Sequence, residues 1–348
     1  MERIINTALA SYGMSGQVFH GPGLKVNPKF RIKSILERAK NLSAEKYPEA
    51  RIVRSYEEIL SDPNIELVVV NTPDVFHYEM GKAALLAGKH VVVEKPFAQT
   101  LEEARELAQL AKDTKRMLTV YQNRRWDGDF LTVKKIIEDG VLGRLVEFES
   151  HYDRYRNFIQ EGTWKEEGGD KSGVLYNLGP HMIDQVLVLF GRPLSVTAHL
   201  QTLRTGGKVT DYYDIRLQYD GFAALLKCSY LVREPGPRYS VHGTLGSFHK
   251  WGIDPQEEAL KAGKLPDSAD WGTEPESDWG ILHSEKEGHG FWQKMETIPG
   301  NYSVFYEKVY DAIVHRKEPP VKPEEALLTQ EILELCVLSD REKRTVFV

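Results

Sequence analysis

The feature that most restricts the fold is an alternation, over residues 1–121, between short apolar runs of strand type and longer segments with helical spacing. Strands that alternate with helices form parallel sheets, because each crossover helix returns the chain to the same end of the sheet. The pattern therefore predicts an α/β domain with a parallel sheet. Its predicted strands are Ile4–Ala10, Phe30–Leu36, Leu67–Asn71, His90–Val93 and Met117–Gln122, and its predicted helices are Ser55–Leu60, Phe76–Ala87 and Leu101–Thr114. The pair Thr100 and Glu103 predicts a capping box at the start of the last helix.

A different pattern follows Trp126, where strand-type runs succeed one another without helices between them. Such runs are typical of an antiparallel or mixed sheet. They cover Ser195–Leu203, Asp211–Tyr219, Phe222–Val232 and Tyr239–Gly243, with helices predicted near 129–139, 180–190, 302–315 and 323–341. Residues 254–299 are weakly periodic and predict a long excursion with few regular elements. We therefore expect two domains, residues 1–122 and 123–348, the second an α+β domain on a large open, mainly antiparallel sheet.

Composition excludes several classes of protein. The net charge of −6 argues against a nucleic-acid surface, and no apolar run is long enough to span a membrane. Cys228 and Cys336 lie in apolar runs away from other metal-ligand residues, so neither a disulfide framework nor a metal site is predicted. We expect a cytoplasmic protein.

The sequence ASYGMSG, residues 10–16, follows the first predicted strand. Its spacing resembles the G-x-G-x-x-G loop of Rossmann dinucleotide-binding domains, with Ser11 at the first glycine position. In that loop the second glycine lets the backbone approach the pyrophosphate, and the third lets the helix pack closely on the strand. Gly13 and Gly16 keep these two positions, so we expect the loop to bind a dinucleotide.

The end of the second predicted strand bears on which dinucleotide is bound. Glu37 comes 21 residues after Gly16, near the spacing at which an acidic residue meets the ribose 2′-OH. Arg38 beside it could instead pair with a 2′-phosphate, and Lys40 is close by. Either side chain could also be a solvated charge at a strand end. We predict NADP as the first choice of cofactor and NAD as the alternative.

Further landmarks follow the glycine loop in order. They are Asn71-Thr72-Pro73 with His77, Glu94-Lys95-Pro96, and GVLYNLGPHMID at residues 173–184. With these landmarks the chain resembles the Gfo/Idh/MocA oxidoreductases, named for glucose-fructose oxidoreductase and inositol dehydrogenase. The segments YQNRRWDGDFLTVKKII, YDRYR, GPRYSVHG and WGIDPQEEALKAGKLP are similar to the NADP-dependent scyllo-inositol dehydrogenase type within that family.

The resemblance implies a Rossmann domain followed by a domain with a large open sheet. The outer face of that sheet commonly makes subunit contacts in the family, so we expect a homodimer or homotetramer. The candidate cofactor-binding residues are Gly13, Met14, Ser15, Gly16, Glu37, Arg38, Asn71, Thr72, Pro73, His77, Glu94, Lys95 and Asn123.

Oxidation of a secondary alcohol needs a base for the hydroxyl proton. His181 is the candidate, because an imidazole with an unperturbed pKa of about 6.5 exchanges protons near neutrality. Lys95 follows the end of a predicted strand and could hydrogen-bond the reacting oxygen; the resemblance supports both roles. Asn177 stands where the family usually has Asp, and it either supports His181 or caps the helix that carries Pro180. Asp184 could orient His181, bind a substrate hydroxyl or make a structural hydrogen bond.

The predicted substrate is a small cyclic polyol or sugar, with inositol-type molecules first. Tyr155 is the first candidate for substrate binding, followed by Trp164 and Arg238, and packing would explain all three equally well. The predicted protein is an NAD(P)-dependent dehydrogenase. Two alternatives remain: a reductase of another carbonyl or diol, and a cofactor-binding sensor without turnover, as the family's galactose-pathway repressor illustrates.

Overall fold

The computed structural model describes residues 3–160, 162, 166 and 171–348, and these form two compact units. Unit 1 consists of Met1–Trp126, Pro255–Trp271 and Asn301–Leu327, and unit 2 of Asp127–Asp254, Gly272–Gly300 and Leu328–Val348. The chain therefore returns twice to unit 1, whereas the sequence predicts a single change of domain. Helical periodicity shows that a segment buries one face, but it does not show which core receives that face.

The described residues form fifteen β-strands. They are β1 (Ile5–Leu9), β2 (Phe30–Leu36), β3 (Arg51–Val53), β4 (Leu67–Val70), β5 (His90–Val93), β6 (Leu118–Val120), β7 (Leu145–His151), β8 (Ser195–Gln201), β9 (Tyr212–Tyr219), β10 (Phe222–Ser229), β11 (Tyr239–Gly243), β12 (Gly246–Lys250), β13 (Gly280–Lys286), β14 (His289–Met295) and β15 (Val346–Phe347).

The α-helices are α1 (Gly21–Val26), α2 (Tyr56–Leu60), α3 (His77–Leu86), α4 (Leu101–Thr114), α5 (Gly128–Glu138), α6 (Val174–Phe190), α7 (Gln256–Lys261), α8 (Ser303–Val314) and α9 (Pro323–Glu342). A π-helical turn covers Gly16–His20, and 3₁₀ turns cover Asp74–Phe76, Asn123–Trp126 and Glu276–Asp278. In the described ranges, no helix is both long enough and apolar enough to cross a bilayer.

Unit 1 is built on a parallel sheet, as predicted. Among the described residues this sheet has six strands in the order β3-β2-β1-β4-β5-β6. The four residues of β4 are all buried and apolar, as expected for a strand covered on both faces. The predicted capping box also forms, since Thr100 Oγ1 accepts a hydrogen bond from Glu103 N and Glu103 Oε2 accepts one from Thr100 N. The predicted α/β fold with a parallel sheet is confirmed.

Segments from the second half of the chain complete the unit 1 core. Phe305, Tyr306 and Val309 of α8 are buried in the same apolar cluster as the strands of the parallel sheet. Tyr306 packs edge-on against Phe30 of β2, with ring centroids 5.6 Å apart. Unit 1 is therefore a discontinuous Rossmann unit.

Unit 2 is built on a mixed, mostly antiparallel sheet. Over the residues that the structure covers, this sheet has nine strands in the order β14-β13-β12-β11-β7-β10-β9-β8-β15, and only the β7–β10 pairing is parallel. Phe148, Ala224 and Ile215, on three neighbouring strands, are buried in one cluster with apolar residues of α6 and α9. One face of the sheet therefore packs on helices, and the predicted α+β domain is confirmed.

The excursion at residues 254–299 is more regular than predicted. It contains α7 and the hairpin of β13 and β14, whose seven pairs run from Gly280 opposite Met295 to Lys286 opposite His289. The expectation of few regular elements was wrong for this hairpin. It extends the sheet at its edge, where polar residues are tolerated on both faces and the alternation of the sequence is weak.

Candidate active site

The glycine loop joins β1 to the first helical turn of unit 1. A Cβ atom added to Gly16 would lie 2.6 Å from the Ser11 carbonyl oxygen and 2.9 Å from Asn71 Nδ2, so a side chain does not fit there. Asn71 Nδ2 itself donates a hydrogen bond to the Ser11 carbonyl at 2.9 Å. The loop is thus held against the end of β4 at a position that requires glycine.

Ser11 replaces the missing first glycine with a side-chain contact. Its Oγ accepts a hydrogen bond from the Gly13 backbone N–H at 3.2 Å, which closes the turn. A Cβ added to Gly13 would meet only this Oγ, at 3.5 Å, so space remains above the loop. The departure from G-x-G-x-x-G is therefore compatible with the turn that a dinucleotide loop needs.

Four polar side-chain atoms at the carboxyl ends of the parallel strands are buried without a hydrogen-bond partner within the described ranges. They are Tyr12 Oη after β1, Asn71 Oδ1 and Thr72 Oγ1 after β4, and Gln122 Oε1 after β6. Buried polar atoms are nearly always paired in folded proteins, so a cluster of unpaired ones calls for a ligand or ordered water. Open α/β sheets bind ligands at this edge. Residues and fold thus fit a dinucleotide.

The loop after β2 is organised by Glu37. Its carboxylate accepts hydrogen bonds from Leu42 N at 2.8 Å and from Ser43 N and Oγ at 2.9 and 2.5 Å. Burial raises the pKa of this carboxyl, but the bonds from Ser43 and Leu42 outweigh it and the net pKa is lowered. Glu37 therefore holds the loop that carries Arg38, an arrangement that the sequence did not predict. Arg38 is exposed, and its guanidinium lies 5.9 Å from the centre of the Phe76 ring.

Glu94, directly after β5, is the centre of a buried polar network. Its Oε1 accepts a hydrogen bond from Ser15 Oγ at 2.5 Å and lies 3.0 Å from His20 Nε2, while Oε2 accepts one from Lys95 N at 3.0 Å. Burial alone would raise the pKa of Glu94, but the contacts with His20 and Ser15 and the charge of Lys95 lower it to about 2. The network links the glycine loop to the segment that carries Lys95.

His20 completes this network, and sequence reasoning missed it. The ring is fully buried, and Nδ1 lies 2.7 Å from the hydroxyl oxygen of Tyr306. A neutral ring that donates from Nε2 to Glu94 accepts at Nδ1 from Tyr306, so one tautomer satisfies both contacts. Glu94 and Tyr306 are far from His20 in the sequence, so no local pattern could have revealed it.

His77 joins the loops that follow β4 and β5. Its Nε2 lies 2.9 Å from the carbonyl oxygen of Thr72, and its Nδ1 lies 2.7 Å from that of Pro96. The Lys95–Pro96 peptide bond is cis. Since both ring nitrogens face backbone carbonyls, His77 positions the segment around Lys95.

The remaining cofactor candidates of unit 1 lie in loops at the same edge of the sheet. Met14 is 57% exposed in the glycine loop, Pro73 precedes the 3₁₀ turn at Asp74–Phe76, and Asn123 is buried at the start of the turn after β6. The structure therefore brings all the cofactor candidates to the carboxyl edge of the parallel sheet.

Helix α6 of unit 2 carries Asn177, His181 and Asp184 on one face, at spacings of four and three residues. His181 is 6% exposed and Asp184 is 2% exposed, so both are buried. Asp184 Oδ1 accepts a hydrogen bond from Thr329 Oγ1 of α9 at 3.5 Å.

The alternative that Asn177 caps this helix is wrong. The residue before α6 is Gly173, whose φ is +84°, and a Cβ there would lie 2.4 Å from the Thr210 carbonyl oxygen. The helix therefore begins before Asn177. Pro180 lies in the interior of the helix, directly before His181. Proline has no N–H, so it cannot donate the usual helical hydrogen bond to the carbonyl of Tyr176.

Of the three substrate-binding candidates, the structure describes Tyr155 and Arg238, and these two differ in exposure. Tyr155 is 44% exposed, and its hydroxyl accepts a hydrogen bond from Arg233 Nη2 at 2.7 Å. Arg238 is buried, with its guanidinium 4.0 and 4.2 Å from the ring centres of Tyr152 and Tyr239. Its Nη2 donates to Gln185 Oε1 of α6 at 3.3 Å, so it acts inside unit 2. Trp164 lies outside the described residues.

Comparison with known proteins extends these observations to the whole chain. Residues 5–122 match the family model described as oxidoreductase family, NAD-binding Rossmann fold, and residues 134–348 match its C-terminal alpha/beta domain. The chain is 41% identical over 347 residues to scyllo-inositol 2-dehydrogenase (NADP(+)) of Bacillus subtilis, covering 99% of this chain and 96% of the relative. It is 40% identical over 342 residues to YdgJ of Escherichia coli, named an oxidoreductase, covering 98% of each.

Solved structures of oxidoreductases are similar to this chain over nearly its whole length. The oxidoreductase yvaA of Bacillus subtilis superposes with a TM-score of 0.97 at 39% identity and covers 100% of this chain and 99% of that one. An oxidoreductase from Bacteroides fragilis superposes with a TM-score of 0.92 at 48% identity and covers 99% and 100%.

Proposed function

The chain belongs to the Gfo/Idh/MocA family of oxidoreductases, and from this premise we propose that it oxidises a secondary alcohol of a cyclic polyol or sugar with a nicotinamide dinucleotide. The observation that carries the proposal is the carboxyl edge of the parallel sheet. There, a loop position that admits only glycine adjoins buried polar atoms that have no partner in the described part of the chain. The family and the Rossmann match support a nicotinamide cofactor.

We propose NADP as the preferred dinucleotide. The Glu37 carboxylate is engaged by Leu42 and Ser43, whereas Arg38 is exposed with no ion pair among the described residues. A guanidinium can pair with a 2′-phosphate, and a carboxylate occupied by its own loop is less suited to bind a ribose hydroxyl. The relative of Bacillus subtilis is itself named an NADP(+) enzyme.

When bound, the nicotinamide would supply the acceptor for the hydride, that is, the hydrogen and two electrons that leave the alcohol carbon. For this chain we assign the proton chemistry to two side chains. His181 Nε2 or Nδ1 accepts the hydroxyl proton of the substrate, and the Lys95 ammonium donates a hydrogen bond to the same oxygen as negative charge develops on it. Asn177, one helical turn before His181, offers an amide where a carboxylate would stabilise the imidazolium.

The test follows the absorbance of the reduced nicotinamide in two arms: purified protein with NADP⁺ or NAD⁺ and a panel of inositols, sugars and diols, and purified protein with NADPH or NADH and a panel of ketoses and aldehydes. We expect turnover of an inositol with NADP⁺, and a His181→Asn variant slower by about 10²- to 10⁴-fold, the usual range for loss of a general base. A Lys95→Met variant should lower kcat while binding NADPH.

The matched control is His289→Asn, which changes an exposed histidine of β14. It should retain wild-type turnover. The absence of turnover with every polyol and ketose, or equal loss in both histidine variants, would contradict the proposal.

A further inference from the structure

A second cleft lies in unit 1 at the amino-terminal ends of the parallel strands, where β5 begins at His90 and β6 begins at Leu118. The loops proposed to bind the dinucleotide follow the opposite ends of these strands. The cleft has a volume of about 830 Å³, within the range of small-molecule sites. We call it the basic cleft.

Six cationic side chains and one carboxylate line the part of the cleft that the structure describes. The cations are Arg3, Lys112, Lys115, Arg116, Arg316 and Lys317, and the carboxylate is Glu324. The positive charge of the cleft lining is opposite in sign to the net charge of −6 of the whole chain. An anion would therefore be attracted to this face and repelled by much of the remaining surface.

Only half of these cations are neutralised. Lys112 pairs with Glu324 at 2.7 Å, Lys317 pairs with Asp311 at 2.8 Å, and Arg3 pairs with Glu66. Lys115, Arg116 and Arg316 form no ion pair within the described ranges. Three unpaired cations around one cavity can bind several anionic oxygens at once.

Helix ends explain part of this charge but not all of it. The carboxyl ends of α4 and α8 lie at the cleft. Lys115 directly follows α4, Arg316 lies two residues after the last residue of α8, and each has a φ of +55°. Cations stabilise such helix ends by about 0.3–1 kcal/mol. Arg3, however, lies two residues before β1, and Arg116 lies between α4 and β6, so cations from separate elements meet around the same space.

His90 contributes a neutral donor. Its Nδ1 accepts a hydrogen bond from Met117 N at 2.9 Å, so a neutral ring carries its proton on Nε2. Burial, together with the charges of Arg116 and Arg3, lowers the pKa of His90 to about 4, which keeps the ring neutral at pH 7. The floor between these polar groups is apolar and includes Met117, Leu118 and Ile313.

We propose that the basic cleft binds a small organic polyphosphate, of the nucleoside triphosphate class. The guanidinium groups of Arg116 and Arg316 hold phosphate oxygens in paired hydrogen bonds, and Lys115 adds a point charge. The apolar floor receives the organic part of the ligand. This site is independent of the proposed dinucleotide site.

The experiment is isothermal titration of the full chain with UTP and, separately, with inorganic tripolyphosphate. Saturating NADPH is present so that the dinucleotide site cannot take up the ligand. We expect both ligands to bind, UTP more tightly because of its organic part, and binding to weaken with added salt. An Arg116→Ser variant should bind about tenfold or more weakly, and so should Arg316→Asn, in which asparagine tolerates the left-handed backbone.

The matched control is Arg105→Ser, which changes an exposed arginine on α4 outside the cleft. It should bind as tightly as the wild type, and all three variants should keep the wild-type melting temperature in the absence of ligand. Absence of binding by both ligands would overturn the proposal, as would equal weakening by Arg105→Ser. Binding of UTP no tighter than tripolyphosphate would overturn the assignment to an organic ligand.

Discussion

Gly13 and Gly16 differ in the room that a side chain would find. We predict that Gly16→Ala lowers the free energy of unfolding by about 1–3 kcal/mol, because its Cβ would meet the Ser11 carbonyl at 2.6 Å and force a backbone shift. Gly13→Ala should unfold like the wild type, since its Cβ makes only an ordinary contact. Urea denaturation of both variants checks this.

Gly13→Ala should nevertheless weaken binding of NADPH, because the methyl group occupies the space where the backbone would approach the pyrophosphate. Fluorescence titration with NADPH measures this effect. Unchanged affinity would show that the dinucleotide does not approach Gly13, and would contradict the assigned site.

Glu94 predicts a specific acid sensitivity. Its pKa is lowered from 4.5 to about 2 in the folded chain, so its contribution to stability is complete above pH 4.5 and is lost as the pH falls toward 2. The shift corresponds to about 3 kcal/mol. We expect Glu94→Gln to be destabilised relative to the wild type at pH 7, and the difference to shrink as the pH falls from 5 toward 2.

Urea denaturation at several pH values measures this difference. Glu79→Gln is the control and should follow the wild type throughout, because Glu79 is exposed on α3 and forms no ion pair or side-chain hydrogen bond with any residue that the structure describes. Parallel stability curves for Glu94→Gln and the wild type would contradict the prediction.

At this scale, residues in local patterns were predictable and partners distant in sequence were not. The positions of Gly13 and Gly16 and the capping contact of Thr100 follow from spacing alone. The contact of His20 with Glu94 does not, because it depends on β1 and β5 being brought close by the strand order. The closure of the turn by Ser11 Oγ is a side-chain geometry that the sequence leaves open.

Among the elements, the hairpin of β13 and β14 carries a testable turn. Its two-residue loop is Glu287-Gly288, with φ of +54° and +80°, which is typical of a type I′ turn. We predict that Glu287→Asn raises the free energy of unfolding by about 0.5–1 kcal/mol, because asparagine adopts the left-handed conformation more readily than glutamate.

Thermal denaturation measures the gain. Glu285→Asn, within β13 two residues earlier, is the control and should not be stabilised. An Asn-Gly or Asp-Gly pair would have predicted this hairpin from the sequence, whereas the pair Glu-Gly does not. The missed hairpin therefore reflects an unusual residue at one turn position.

Across the whole molecule, the sheet of unit 2 predicts self-association. Leu225 and Lys227 of β10 alternate with Ala224, Leu226 and Cys228, which lie in the core beside the helices, so Leu225 faces the other side of the sheet. We expect a dimer or tetramer by light scattering, and dissociation to a smaller species by Leu225→Arg, since a charge would be buried without a partner.

Leu194→Arg is the control, because Leu194 is a 56% exposed residue in the turn before β8. It should leave the mass unchanged. If the wild type is a monomer, this face of the sheet does not form a subunit interface, and the prediction is wrong.

The parallel sheet and the mainly antiparallel sheet were both predictable, since each depends on the order of strands and helices along the chain. The assignment of segments to units was not, because α7 and α8 have ordinary helical periodicity. Only the structure shows that Phe305 and Tyr306 of α8 fill the core of unit 1.

This interleaving restricts how such a gene can change. A fragment encoding residues 1–122 would lack the aromatic side chains that α8 inserts beneath the parallel sheet, and would expose the surface they cover. Neither unit corresponds to one uninterrupted stretch of sequence. Recombination that exchanges the cofactor preference of two relatives must therefore replace nearly the whole gene, or the change must come from single substitutions.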